Sequence, residues 1–276
     1  MDVGGVRQGG AMRTRLGTVA ITGAAGRIGS VVRAGLRDEV TRLVLIDRVG
    51  LTARTPAEDV HQLDLRGAEA VAAALEGVDA VVHLGGVPDE APLPELLDAN
   101  VRGTHHVLEG ARRQGVRRVV LAGSNRVSGF YSVAETVTPE MPARPDGLYG
   151  VSKVAVEALG RLYADKFGLS VVCLRIGSFE DEPSERRHLS TWLSPRDGLG
   201  FVRTALTAAD VGFKTVYAVS ANTRGFWDTD AGAELGYTPV DDAEAFASRL
   251  PAGQDPAGTD PQGGEYADAE YTLRHM

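Results

Sequence analysis

The feature that most constrains this fold is a regular alternation of short apolar segments with longer segments of helical periodicity. The predicted strands are 17–22, 42–47, 59–65, 79–86, 116–124 and 170–178, and the predicted helices are 26–36, 68–77, 93–115 and 149–168. Strands and helices that alternate in this way are connected as βαβ units, which build a parallel sheet with helices on both faces. The sequence therefore predicts an α/β fold with a doubly wound parallel sheet.

A glycine-rich segment follows the first predicted strand. In "TGAAGRIG", Gly23, Gly26 and Gly29 have the spacing G-x-x-G-x-x-G between a strand and a helix. Glycine permits a tight turn and a close approach of the backbone to a pyrophosphate, and a helix N-terminus offers unpaired N–H groups to the phosphates. The segment predicts a dinucleotide site, with a generic glycine turn as the alternative.

Acidic residues near the ends of the next two strands bear on which dinucleotide binds. Asp47 lies 24 residues after Gly23, where a carboxylate accepts hydrogen bonds from a ribose and repels the 2′-phosphate of NADP. The nearby cations Arg27 and Arg48 weaken this preference, and NAD remains the predicted cofactor. Asp64 is predicted either to contact the adenine edge or to serve as a helix N-cap or loop carboxylate.

The fourth predicted strand also ends in glycines. In "HLGG", Gly85 and Gly86 suit close approach to a cofactor, whereas His83 is predicted to be a packed structural histidine. Because this segment follows a strand of the same sheet, it is expected to border the same nucleotide site.

Composition excludes several classes of partner. The chain has 276 residues and a net charge of -8, which argues against nucleic acid, since binding to a phosphate backbone needs a basic surface. No segment has the roughly 18 consecutive apolar residues of a membrane span, and the N-terminus lacks the apolar region of a secretory signal. The single cysteine, Cys173, lies in an apolar run and fits a reducing compartment. We expect a cytoplasmic protein without a membrane, nucleic-acid or metal partner.

Tyr149 and Lys153, in "LYGVSK", are four residues apart and would share one face of the predicted helix. A phenol is a poor base at neutral pH because its unperturbed pKa is about 10, and a cation held nearby lowers the pKa of a phenol. The pair predicts a tuned proton acceptor, with two ordinary surface residues as the alternative. Ser124 ends the fifth strand, at the edge of the sheet that faces the ligand crevice. These three residues are therefore expected to converge beside a nicotinamide.

Together these motifs resemble the short-chain dehydrogenase/reductase superfamily in its extended, sugar-active branch. The resemblance is carried by "TGAAGRIG", Asp47, "HLGG", Asn100 in "ANVRGT", Ser124 and "YGVSK". Longer segments, among them "SNRVSGFY", "PARPDGLYGVSK", "RRHLSTWLS" and "SANTRGFWD", are similar to the uronate dehydrogenase family over nearly the whole chain. The resemblance implies NAD-dependent oxidation of a uronic acid, galacturonate or glucuronate, at C1 to the aldarolactone.

The resemblance also implies roles for single residues. Tyr149 would be the general base, Lys153 would hold the nicotinamide ribose, and Ser124 would hydrogen-bond the reacting oxygen. The implied cofactor-binding residues are Gly23, Gly26, Arg27, Ile28, Gly29, Asp47, Asp64, Leu65, Leu84, Gly85, Gly86, Asn100, Tyr149, Lys153 and Ile176. The implied substrate-binding residues are Ser124, Asn125, Arg126, Tyr149, Ser178 and Arg187.

Arg187 matches the family position expected to bind the C6 carboxylate. Arginine suits this role because its fork can bind both carboxylate oxygens. The alternative is that Arg186 and Arg187 pair with Glu182 and Glu185 on a solvated loop. Two positions depart from the family's pattern: Arg126 stands where the family has a histidine, and Pro88 where it has a serine. Both lie near the sugar in the implied site, so they bear on which sugar acid is preferred.

Three other functions stay open. A nucleotide-sugar epimerase or dehydratase has the same fold, although Asn125 and Arg126 are not the acid a dehydratase needs and fewer than 100 residues follow Ser178. A redox sensor or scaffold would have lost the tyrosine or the lysine. A dehydrogenase of another free sugar or sugar derivative would use the same chemistry. By resemblance the chain is expected to be a homo-oligomer that pairs through the helices 93–115 and 147–168.

The periodicity loosens after Ser178, which divides the chain into four predicted parts. The parts are a flexible lead-in over 1–15, a Rossmann-like NAD-binding domain over 16–178, a small C-terminal substrate-binding lobe with returning α/β elements over 179–250, and a Pro/Gly-rich tail over 251–276. The tail carries Tyr266 and Tyr271, which are expected to dock either on the same chain or on a neighbouring subunit.

Overall fold

A computed structural model describes residues 16–276, so the lead-in predicted over 1–15 lies outside the described residues. The described strands are β1 Leu16–Thr22, β2 Val40–Asp47, β3 Glu58–Gln62, β4 Ala80–His83, β5 Arg118–Ser124, β6 Ser170–Ile176, β7 Ser178–Phe179, β8 Trp192–Leu193 and β9 Phe213–Ala218. The described α-helices are α1 Arg27–Leu36, α2 Ala68–Ala74, α3 Leu93–Leu96, α4 Gly103–Gln114, α5 Leu148–Phe167, α6 His188–Thr191, α7 Pro195–Thr207, α8 Asp230–Leu235 and α9 Ala269–Leu273.

Seven of these strands form one parallel sheet, in the order β3-β2-β1-β4-β5-β6-β9. The predicted doubly wound parallel sheet is thus confirmed. Its seventh strand, β9, comes from the returning segment after residue 178 and pairs with β6. The strand order reverses between β1 and β4, and ligands of such sheets bind outside the carboxyl ends of the strands at this point.

Residues of each central strand point alternately to two apolar layers. On β2, Leu43 and Leu45 pack in a core with α1 and α7, whereas Val44 and Ile46 pack in a second core with α2, α4 and α5. A strand buried on both faces reads as a continuous apolar run, which is why these strands are visible in the sequence. Cys173, on β6, is fully buried in the second core.

The structure differs from the predicted elements in a few places. The third strand ends at Gln62, before Asp64. The single helix predicted over 93–115 is interrupted by a π-helical turn, Leu97–Arg102, between α3 and α4. Short 3₁₀ helices span Asn125–Ser128, Ala243–Arg249 and Gly264–Ala267. Within residues 16–276 we find no helix with both the length and the apolar character needed to cross a membrane.

Candidate active site

The glycine-rich loop lies between β1 and α1, beside the loop that follows β4. Gly23 has a φ of 69°, and a Cβ there would lie 2.8 Å from the backbone nitrogen of Gly85, so the two loops approach too closely for a side chain. The N–H of Gly26 donates to the carbonyl of Gly23 at 3.0 Å and closes the turn. The predicted residues Arg27, Ile28 and Gly29 form the first turn of α1. This backbone fits a pyrophosphate at the start of α1.

Asp47 ends β2, next to the glycine-rich loop. Its Oδ2 accepts a hydrogen bond from the N–H of Ala25 at 2.9 Å, and its Oδ1 accepts one from the N–H of Val49 at 2.9 Å. Two backbone donors therefore fix the carboxylate at the rim of the loop. This is the place where a ribose-binding carboxylate is expected in such sheets.

The other predicted adenosine-side residues lie at the same edge with partners of their own. Asp64 is in the loop after β3 and forms a bidentate ion pair with Arg66, whose N–H groups lower the pKa of Asp64 to about 2. Arg27 donates to the carbonyl of Phe179 at 3.0 Å and pairs with Glu180. The predicted helix N-cap role of Asp64 is wrong, because Gly67 is the N-cap of α2 and no side chain caps that helix. A contact with the adenine edge and a loop carboxylate are both compatible with this placement.

Asn100 lies on the π-helical turn and fastens the loop after β4. Its Oδ1 accepts from the N–H of Val87 at 2.7 Å, and its Nδ2 donates to the carbonyl of Val87 at 3.2 Å. Nδ2 also lies 2.9 Å from the hydroxyl of Ser152, on α5. The buried amide thus connects the loop that carries Leu84, Gly85 and Gly86 to the helix of Tyr149 and Lys153.

Ser124, Tyr149 and Lys153 are all buried at the carboxyl edge of β5. The ammonium of Lys153 donates to the carbonyl of Ala122 at 2.9 Å and lies 5.6 Å from the ring centre of Tyr149. Ser124 pairs in the sheet with Ile176, so both predicted residues sit at adjacent strand ends. The sequence interval of four has brought the phenol and the ammonium to one side of α5, against the end of β5.

His83 is packed, as the sequence predicts. Its Nδ1 lies 2.7 Å from the hydroxyl of Thr22, and its Nε2 lies 2.9 Å from the hydroxyl of Thr104. Burial, together with the nearby Lys153 cation, lowers the pKa of His83 to about 3. The neutral ring serves the packing between β1, β4 and α4.

Arg187 is partly buried and has no carboxylate within 4.0 Å among the described residues. Its Nε donates to the carbonyl of Gln262 at 3.2 Å, and its Nη1 lies 3.5 Å from the hydroxyl of Ser178. Burial lowers the pKa of Arg187, as expected for a cation whose hydration is not replaced by a counter-charge.

The two arginines of this loop do not form the ion pairs with its glutamates that the alternative from the sequence predicted. Arg186 pairs with Asp255, Glu182 with Arg249, and Glu185 with His188. The alternative in which Arg187 is neutralised by Glu182 or Glu185 is therefore wrong for this structure. Asn125, also predicted to contact substrate, is buried with its Oδ1 3.4 Å from the hydroxyl of Ser124.

Arg126 has partners that the sequence did not indicate. Its guanidinium donates to Asp146, Asp89 and Glu90, and lies 5.3 Å from the ring centre of Tyr149. These three acids read in the sequence as ordinary loop carboxylates, and no spacing signal separates them from the other acidic residues of the chain. The predicted role of Arg126 as a substrate ligand is left untested by this arrangement, which occupies its Nε, Nη1 and Nη2.

The tail docks on the same chain. The ring centre of Tyr266 lies 5.1 Å from the guanidinium carbon of Arg187 and 4.2 Å from that of Arg126. Tyr271 donates its hydroxyl hydrogen to Asp89 at 2.9 Å. The sequence left open whether the tail docks on its own chain or on a neighbouring subunit. In this structure it packs against its own chain.

Comparisons with known proteins show the family to which this chain is similar. The sequence model of the NAD dependent epimerase/dehydratase family matches residues 19–194. The chain is 42% identical to uronate dehydrogenase of Pseudomonas syringae pv. tomato, over 87% of this chain and 88% of that protein. It is 40% identical to uronate dehydrogenase of Agrobacterium fabrum, over 83% of this chain and 87% of that protein.

A solved structure is similar over almost the same length. A mutant of uronate dehydrogenase from Agrobacterium tumefaciens, complexed with NAD, superposes with a TM-score of 0.88 at 39% identity, over 93% of this chain and 98% of that chain. The likeness extends past the regular part of the chain, into the segment from residue 178 onward that carries the predicted substrate-binding residues Ser178 and Arg187. The chain therefore belongs to the NAD dependent epimerase/dehydratase family and, within it, to the uronate dehydrogenases.

Proposed function

We propose that this chain oxidises a uronic acid, galacturonate or glucuronate, at C1 to the aldarolactone with NAD as hydride acceptor. The observation that carries the proposal is Arg187, a partly buried guanidinium without a carboxylate partner among residues 16–276. Burial of a cation without a counter-charge is energetically unfavourable, and a bound anion would offset this cost. The two parallel N–H donors of a guanidinium match the two oxygens of a carboxylate. A uronate differs from a neutral sugar by such a carboxylate at C6.

The path from Arg187 to the reacting centre supports this assignment. Tyr266 lies between Arg187 and Arg126, and Arg126 in turn lies 5.3 Å from the ring centre of Tyr149. Ser178 follows β6, whose last residue pairs with Ser124. Arg187 is thus connected, through Tyr266 and Arg126, to the side of the crevice that carries the predicted base.

In this mechanism Tyr149 accepts the proton of the C1 hydroxyl while the C1–H bond of the sugar breaks. The Lys153 ammonium, 5.6 Å from the ring centre of Tyr149, would hold the nicotinamide ribose beside the phenol, and the Ser124 hydroxyl donates to the substrate oxygen on which charge develops. NAD, when bound, supplies the acceptor for the hydride that leaves C1. Asp47, held by the N–H groups of Ala25 and Val49, accepts from ribose hydroxyls and repels a 2′-phosphate.

The experiment that tests the function is NADH formation by the purified protein with four substrates: galacturonate, glucuronate, galactose and glucose. Turnover of the uronates alone, and with NAD in preference to NADP, is the expected result. Turnover of the neutral sugars alone would assign the chain to another sugar, and no turnover with tightly retained NAD would favour an epimerase.

We also infer that the protein acts in the cytoplasm as a homo-oligomer. Residues 16–178 form its NAD-binding domain and 179–250 its substrate-binding lobe, which returns α7 to the core and β9 to the sheet of that domain. Large apolar side chains are exposed on both helices expected to pair between subunits, among them Leu97, Val151, Leu162 and Phe167. Light scattering on the eluting peak of a gel-filtration column measures the number of subunits, and a monomer would contradict this proposal.

A further inference from the structure

Arg126 is a buried cation surrounded by three acids. Its Nε donates to Asp146 at 2.6 Å, its Nη1 to Asp89 at 3.0 Å, and its Nη2 to Glu90 at 3.0 Å. The carboxylates of Asp146 and Glu90 are fully buried, whereas that of Asp89 is half exposed. Removal of the cation would leave two buried anions without their counter-charge, which is strongly unfavourable.

Glu90 connects Arg126 to the first turn of α5. Its Oε1 accepts from the N–H of Leu148 at 2.7 Å, and its Oε2 accepts from the N–H of Tyr149 at 3.3 Å. The helix has no side-chain cap of its own at Gly147, so Glu90 supplies the acceptor from another segment. The helix dipole also stabilises a negative charge at this end of the helix. The same Oε2 accepts from Arg126, which places the guanidinium one hydrogen bond away from the backbone of Tyr149.

Gly147 allows α5 to begin directly against this ion pair. A Cβ at Gly147 would lie 2.5 Å from Oε2 of Glu90 and 3.0 Å from Nη2 of Arg126. The first distance is shorter than real Cβ contacts and the second is tighter than most of them, so a side chain at this position would displace the Glu90 carboxylate. The start of α5 is therefore fitted to Glu90 and Arg126.

The C-terminal segment packs on the other side of the guanidinium. The rings of Tyr266 and Tyr271 have their centres 4.2 and 5.6 Å from the guanidinium carbon of Arg126, and the two rings meet edge to face. The hydroxyl of Tyr271 donates to Asp89 at 2.9 Å. Tyr266 also borders Arg187, so this segment forms one wall of the proposed carboxylate pocket.

We propose that Arg126 is a positioning residue that joins the start of α5 to the C-terminal segment 261–273. Through Glu90 it holds the backbone of Tyr149, and through Tyr266 and Asp89 it holds the wall beside Arg187. It thereby couples the placement of the proton acceptor to the closure of the sugar pocket, in place of the ligand role implied by sequence resemblance. The kinetic consequences rest on the proposed function, whereas the joining of the two segments does not.

The test compares Arg126→Met with Arg126→Lys and with the wild type. Hydrogen–deuterium exchange of the amides of 147–150 and of 261–273 is the first readout, and KM and kcat for galacturonate are the second. For Arg126→Met we expect exchange about tenfold faster in both segments, a KM at least tenfold higher and a lower kcat. The lysine variant, which keeps the charge without the fork, is expected to restore part of each loss.

Two comparisons separate this role from general destabilisation. The exchange of β2 is expected to stay close to wild type, because Asp47 and the adenosine side of the crevice do not contact Arg126. The control Arg161→Met removes an exposed arginine of α5, far along the helix from Tyr149, and is expected to change none of the readouts. Faster exchange in only one of the two segments, or equally in β2, would overturn the proposal.

A milder pair of variants tests the tail side even where Arg126→Met does not fold. Tyr271→Phe removes the hydrogen bond to Asp89 and is expected to accelerate exchange of 261–273 and to raise the KM about threefold. Asp89→Asn weakens this bond and also the ion pair with Arg126, so its effects are expected to be at least as large, with the double variant no worse than Asp89→Asn alone. Additive effects of the two substitutions, or unchanged exchange in Tyr271→Phe, would contradict the proposal that Asp89 holds the segment 261–273 in place. If the wild type oxidises no uronate, the proposed function fails, while the exchange measurements still decide the role of Arg126.

Discussion

The ammonium of Lys153 lies 5.6 Å from the ring centre of Tyr149, one helical turn away on the same side of α5. Lys153 is anchored there by a 2.9 Å hydrogen bond to the carbonyl of Ala122, on the neighbouring strand. The lysine therefore cannot move freely away from the phenol. Its charge is available to the ring and to a ligand bound at the end of β5.

The first prediction concerns Tyr149 as the proton acceptor. Tyr149→Phe removes the hydroxyl and keeps the ring, so we expect kcat to fall by roughly 10²–10⁴-fold, the usual contribution of a general base. NAD affinity, measured by fluorescence titration, is expected to stay near wild type. The control is Tyr163→Phe on the same helix, whose hydroxyl contacts Glu109 away from the site. A Tyr149→Phe enzyme with near-normal kcat would exclude Tyr149 as the base.

The second prediction concerns Arg187 as the ligand of the uronate carboxylate. Loss of a charge-assisted bidentate contact costs about 1.5–3 kcal/mol, so Arg187→Met is expected to raise the KM for galacturonate by roughly 10–150-fold. The adjacent Arg186 is the matched control, because it pairs with Asp255 outside the pocket. Initial rates over a range of galacturonate concentrations give both KM values. Equal effects of Arg186→Met and Arg187→Met would refute the assignment.

The third prediction concerns Asp47 and the choice of dinucleotide. Asp47→Asn removes the negative charge and keeps one oxygen for a backbone N–H. We expect kcat/KM to fall about tenfold with NAD and to rise with NADP, since the repulsion of a 2′-phosphate is lost. Asp59→Asn, whose side chain on β3 is half exposed, is the control for a change in net charge alone. An unchanged ratio of the two cofactors would show that Asp47 does not contact the ribose.

The fourth prediction concerns the pH dependence of stability through His83. The pKa of His83 is lowered to about 3 by burial and by Lys153, whereas in the unfolded chain it is about 6.5. Between these values only the unfolded state binds the proton, so this contribution to stability is complete above pH 6.5 and is lost as the pH falls towards 3. The slope is about 1.4 kcal/mol per pH unit for one proton.

His83→Gln removes this titration, so its free energy of unfolding is expected to fall less steeply with acid than that of the wild type. Urea unfolding at several pH values between 7.5 and 4.5 measures both slopes. Parallel slopes in the two proteins would mean that His83 is protonated in the folded state as readily as in the unfolded one.

Much of the nucleotide side was predictable because its signals are local in sequence. The turn at Gly23, the strand end at Asp47 and the four-residue interval between Tyr149 and Lys153 each depend on a few neighbouring residues. Once the parallel sheet is inferred, the carboxyl ends of its strands bring these elements to one edge. The packed state of His83 follows in the same way from its place in an apolar strand.

The substrate side was decided by contacts between distant parts of the chain. Tyr271 and Asp89 are 182 residues apart in sequence, and Arg126 is 36 residues from Glu90. An acidic or aromatic residue in a loop carries no periodic signal that names its partner. Which charges are buried together, and whether a cation such as Arg187 is left without an anion, depends on the three-dimensional path of the chain.

The sequence alone determined the parallel sheet, the glycine-rich loop and the residues at its strand ends, because periodicity and turn chemistry act over a few residues. Only the tertiary structure decided that Arg126 is surrounded by Asp89, Glu90 and Asp146, and that the tail forms a wall against it. The physical reason is that the energy of a buried charge is set by all the groups that surround it after folding, and these come from segments that no local pattern connects.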